Sequence, residues 1–159
     1  MLRTRRINGA KCSMSRTREQ VIWDFVQGWL RKAEGDLRAA EIMMKADLED
    51  WFAAAFHAQQ AAEKFLKAFL VRHQIPFPKT HEINQLLNLT GKADQSLKTE
   101  LASAGMLTPF GVEFRYPGEE VADRETAQHA VQESKRVKDA VLNRLQSYLN
   151  KARPRPSGS

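Results

Sequence analysis

The chain holds a single cysteine, Cys12, so no disulfide can close within it, and four histidines show no metal-ligand spacing with that thiol. Neither a metal nor another cofactor is expected. No apolar run approaches the eighteen or more residues of a membrane span, and the N-terminus lacks the apolar core of a secretory signal. These absences point away from membrane and secreted classes and toward a reducing cytoplasm. Strand-like alternation and internal repeats are also missing. Proline and glycine are few, at 6 and 8 residues, and they punctuate the chain instead of pervading it.

What is present is enough apolar material, 42% of 159 residues, for one domain with a core. The net charge of +6 suggests nucleic acid until it is located. Arg3, Arg5, Arg6, Lys11, Arg16 and Arg18 lie in an acid-free leader, and Lys151, Arg153 and Arg155 in an acid-free end. Removing those nine cations leaves 19–150 at −3. The body is mildly acidic, and 1–17 and 151–159 are expected to be disordered basic tails. Such tails have the charge to touch phosphate backbones, and the leader shares its composition with transit peptides. Met14, just before the helical pattern, is a second candidate start.

Thr17 and Gln20 have capping-box spacing, and Ile22, Phe25, Val26, Trp29, Ala33, Leu37, Ala40 and Met44 then recur with helical period. A first helix is expected over 18–46, and a second over 50–74, stopped by Pro76 and Pro78. Thr80 is expected to cap a short third helix, and a fourth covers about 94–105. A long connection, 106–122, leads to a last helix that Asp123 caps and that runs to about 150. The expected fold is all-α: an up-and-down bundle of three long helices plus one or two short ones over 18–150.

Within the second helix, Phe52, Ala55, Phe56, Ala62, Leu66, Phe69 and Leu70 form one apolar stripe at about 100° per residue, with Gln59 and Glu63 in its middle. These two are one turn apart, within side-chain reach. A buried carboxylate must be paired, hydrogen-bonded or protonated. Arg115, in the long connection, and His81, before the third helix, are the candidate partners. Two uses fit: a polar clamp on the connection or on a dimer interface, and a pocket in which Arg115 also meets a phosphate. His57, Gln60, Lys64 and Lys67 share the flank, either as an ordinary solvated face or as a surface for a nucleotide or short RNA. Trp23, Trp29 and Trp51 read as core or interface anchors.

The segments WLRKAEGDLRAAEIM (29–43), AFHAQQAAEKFLKAFLVRHQIPFPKTHEI (55–83) and FRYPGEE (114–120) together resemble the HEPN domain, the higher-eukaryote and prokaryote nucleotide-binding family, in its RYP-containing prokaryotic type. The resemblance spans about 29–148. It implies a homodimer, found beside minimal nucleotidyltransferases and often in toxin–antitoxin pairs, and it adds Tyr116 to the nucleotide-binding or clamp set of Gln59, Gln60, Glu63, Lys64, His81 and Arg115. HEPN ribonucleases resemble one another in an arginine, four to six intervening residues, and then a histidine near the start of the last helix. After Arg115 and Tyr116 no such histidine follows. Arg124 and His129 have the spacing, although on one helix they point about 140° apart. The resemblance therefore implies a non-enzymatic, nucleotide-binding partner of a nucleotidyltransferase, with a metal-independent ribonuclease using Arg124 and His129 as the alternative.

Overall fold

A computed structural model of the chain describes residues 15–46, 49–111 and 122–155, and the elements below are confined to these. Five α-helices and one 3-10 segment follow in order: α1 Arg18–Ala46, α2 Trp51–Arg72, α3 Ile83–Thr90, α4 Gln95–Glu100, the 3-10 segment Ala102–Phe110, and α5 Arg124–Leu149. No strand occurs among the described residues. The all-α bundle expected from periodicity is the observed fold.

Local chemistry sets the helix starts. Thr17 and Gln20 form a reciprocal pair: Thr17 N donates to Gln20 Oε1 at 3.0 Å, and Gln20 N donates to Thr17 Oγ1 at 3.2 Å. Asp50, Asp94 and Asp123 accept from the amides of Ala53, Leu97 and Thr126 at 3.1, 2.9 and 2.8 Å. The expected Thr80 cap is displaced. Thr80 Oγ1 takes the amide of Glu82, while Ile83 N donates to Thr108 Oγ1 at 3.1 Å, so a residue of the 3-10 segment satisfies the first turn of α3.

The end of α2 also differs from expectation. It closes at Arg72, ahead of both prolines, because Gln74 adopts a left-handed conformation, φ 54°, and Ile75 N reaches back to Leu70 O at 2.9 Å. The second half of the expected fourth helix, and the beginning of the expected connection, wind instead as the 3-10 segment.

The single stripe expected on α2 proves too narrow. Ala54, Ala55, Ala58, Ala61, Ala62, Phe65, Leu66, Ala68, Phe69 and Leu70 are all within 1% of complete burial and cover an arc of about 200°, leaving the flank of His57, Gln60 and Lys64 half-buried. α1, α5, α3 and the 3-10 segment surround it. The alanines are the means: without side chains beyond Cβ, neighbouring helices approach closely, and Ala33 and Ala40 of α1 and Ala127 and Ala130 of α5 meet them in kind. α2 is thus the axle of the bundle, and any polar group on it is held by neighbours.

Residues 1–14 lie outside the described residues. At the other end, where a free tail is expected, Arg153 makes two hydrogen bonds to Asp24 at 2.9 and 2.8 Å, and Gln20 Nε2 donates to Pro154 O at 2.8 Å. No helix among the described residues is long and apolar enough to cross a membrane.

Candidate functional site

Glu63 is 3% exposed and Gln59 fully buried, and the question is what faces the carboxylate. Lys67 Nζ donates to Glu63 Oε1 at 2.6 Å, Gln59 Nε2 donates to Oε2 at 3.1 Å, and His81 Nδ1 lies 3.0 Å from Oε2, a contact that needs its proton on Nδ1. Burial pushes the Glu63 carboxyl up, but the hydrogen bonds from Lys67 and His81, the Lys67 charge and the Gln59 amide together outweigh it and hold the group below its ordinary value. Glu63 is therefore ionised at neutral pH.

Lys67 corrects the sequence reading. Placed on a solvated flank, it is instead 7% exposed, with its ammonium 5.3 Å from the Trp29 ring and 5.7 Å from the Phe77 ring. Residues 59, 63 and 67 make a ladder at i, i+4 and i+8, and the ladder reaches beyond α2. Gln59 Nε2 also donates to His81 O at 3.1 Å, and Lys67 Nζ to Thr80 O at 3.4 Å. The cluster ties α2 to the segment before α3. Gly111 closes its far side, where a Cβ would stand 3.0 Å from Gln59 Nε2 and 3.2 Å from His81 Cβ. Arg115 and Tyr116, the other expected members, lie outside the described residues.

The His57, Gln60 and Lys64 flank is not an open face either. Lys64 Nζ is bound to Asp36 of α1, and His57 Nδ1 lies 3.0 Å from the other oxygen of the same carboxylate. Gln60 Oε1 accepts from Lys64 at 3.2 Å, and Gln60 Nε2 donates to Gln59 Oε1 at 2.8 Å. One continuous polar chain thus runs from Asp36 across α2 to His81. Trp23 packs on Tyr148, ring centroids 5.0 Å apart, and Trp29 on Phe77 at 6.3 Å, as anchors between elements.

Cations converge elsewhere, where the C-terminal end of α1 meets the start of α5. A cleft of about 440 Å³ opens there over Met44 and Val131. Lys45, Arg124 and Lys135 line it with the amides of Gln128 and Gln132. Glu41 is its one carboxylate, 2.7 Å from Lys135 Nζ, and it registers the local field. The Lys135 hydrogen bond, against desolvation and helped by the charges of Lys135, Lys45 and Lys138, holds the Glu41 carboxyl below its ordinary value. Arg124 stacks 5.6 Å from the Trp51 ring. His129 is exposed and does not line this cleft, so the Arg124 and His129 spacing does not become a convergent pair. No cluster with the makings of a metal site occurs among the described residues.

Sequence reasoning also passed over Glu133, 4% exposed on α5, which accepts from Ser103 Oγ at 2.5 Å and from Arg136 Nη1 at 3.2 Å. The signal was available: Glu133 stands one turn from Ala130 and Val137, the same break in an apolar register that singles out Glu63.

The described residues form an all-α bundle around a central helix that carries a buried Gln-Glu-Lys ladder. The family model of the HEPN domain matches residues 26–145, and the chain belongs to that family. The crystal structure of TT1696 from Thermus thermophilus superposes with a TM-score of 0.60 at 26% identity, over 76% of this chain and 98% of that one. Nothing matches among curated proteins.

Proposed function

We propose that the chain is a non-enzymatic HEPN protein of the RYP-containing type: a cytoplasmic homodimer that binds a nucleotide and partners a minimal nucleotidyltransferase in a toxin–antitoxin pair. The observation that carries the ligand class is the cleft between α1 and α5. Lys45, Arg124 and Lys135 supply charge for phosphates, while Gln128 and Gln132, one turn apart, supply amides able to read a base edge over the apolar floor of Met44 and Val131. The Glu63 cluster supports the non-enzymatic reading. Its carboxylate is ionised and takes three donors, which suits a clamp and not a proton shuttle near neutral pH.

Titration calorimetry with ATP at physiological salt tests this. Saturable binding is expected, weakened at least about tenfold when Lys45 and Lys135 are both changed to alanine. Absence of heat, or an affinity indifferent to those changes, refutes the nucleotide assignment. The ribonuclease alternative makes the opposite demand: purified protein cleaves RNA, and His129→Ala abolishes cleavage with the fold intact. Co-purification with a minimal nucleotidyltransferase tests the partner.

A further inference from the structure

Phe25 and Ile42 are the large apolar side chains left open among the described residues, 60% and 57% exposed, and both stand on α1. Between and beside them run Val21, Gly28, Lys32, Gly35 and Ala39. The spacing 21, 25, 28, 32, 35, 39, 42 alternates four and three, the register of a helix-to-helix seam. It lies opposite the core face of Val26, Leu30, Ala33, Leu37 and Ala40. Glycine inside a helix is unfavourable relative to alanine, and no described residue requires it here: a Cβ at Gly28 or Gly35 would meet no atom of the described residues within 4 Å. Two such glycines on the apolar seam leave room for another backbone.

We propose that this outward face of α1 is where two copies of the chain associate, antiparallel, about a two-fold axis near Lys32. The inference rests on the homodimer reading above and gives it a surface. The seam is its own complement. Read outward from Lys32, an antiparallel copy sets Gly28 opposite Gly35, the Phe25 ring opposite the Ala39 methyl, and Val21 opposite Ile42. A heterologous partner would not require that symmetry. The 22 residues from Val21 to Ile42 extend about 33 Å. A strip about 10 Å wide along them covers about 330 Å² per copy, or about 660 Å² in all, below the ~1,000 Å² of stable specific interfaces and in the range of weak association. The dimer is therefore concentration-dependent. Lys32 and Arg31 meet their own copies at the axis, and salt screens that repulsion, so association tightens as salt rises.

Sedimentation of the full chain, with Cys12→Ser as background, is the experiment. A dimer is expected that strengthens from low to high salt. Phe25→Glu with Ile42→Glu, or Gly28→Leu with Gly35→Leu, should raise its dissociation constant at least tenfold while leaving the far-ultraviolet spectrum unchanged. Lys32→Cys should form a disulfide-linked dimer under mild oxidation. A dimer that ignores these substitutions and leaves Lys32→Cys unlinked overturns the surface but keeps the homodimer. A monomer at every concentration overturns both. Association that weakens with salt overturns the self-pairing in favour of an acidic protein or nucleic acid on this face.

Discussion

Glu63 shows how one buried charge is stabilised by division of labour. Lys67 supplies the counter-charge, Gln59 a neutral donor, and His81, with its side chain 62% exposed, joins the buried carboxylate to solvent. Removing one side of a buried pair typically costs about 3–5 kcal/mol, whereas replacing both with apolar residues costs much less. Glu63→Gln should therefore destabilise the fold by about 3 kcal/mol in urea denaturation, and Glu63→Leu with Lys67→Leu by distinctly less. The pH dependence has a definite sign. Because the folded carboxyl lies below its ordinary value of 4.5, its stabilisation is complete above that pH and is lost as pH falls through the folded value. The stability gap between the native chain and Glu63→Gln should thus be constant near neutrality and shrink below about pH 4.5. A gap that widened in acid would show that the carboxylate is not the stabilising species.

At the level of elements, sequence alone located what is encoded within one or two turns. Thr17 with Gln20 and Asp123 mark helix starts because a side-chain oxygen must reach an amide two or three residues on. Thr17→Ala should cost about 1 kcal/mol in thermal or urea unfolding, because the Gln20 backbone amide loses the hydroxyl that accepts from it. What the sequence could not place depends on distant groups. Thr80 loses the cap of α3 to Thr108, which the chain reaches only after two further helices. Lys67 looks like a flank residue until α3 and the segment before it close over α2. The break that Glu63 makes in an apolar register is local and therefore legible. The cleft beside Lys135 is not, since it exists only where the far end of α1 meets the start of α5.

For the whole molecule, the last described residues act as a strap across the start of α1. Arg153 and Asp24 are exposed enough for their ion pair to be screened, so the strap depends more on the hydrogen bond from the buried Gln20 to Pro154 O. One such bond is worth about 1 kcal/mol, which for a chain of this size is about 2–4 °C in melting temperature. A chain ending at Asn150 should melt lower by that amount by calorimetry, with little dependence on salt. A strong salt dependence would assign the effect to the ion pair instead.

The enclosure of α2 also sets a clock. No residue within 54–70 is exposed, and its amides are bonded within the helix, so solvent deuterium reaches them mainly when the surrounding helices come away. Exposed α4, only six residues long, can fray alone. Mass spectrometry after exchange should therefore find 54–70 labelling last, at the rate of global opening, and shifting in step with Glu63→Gln. Residues 95–100 should label early and ignore that substitution. The same ladder that holds one carboxylate in place would then be timing how often the entire protein opens.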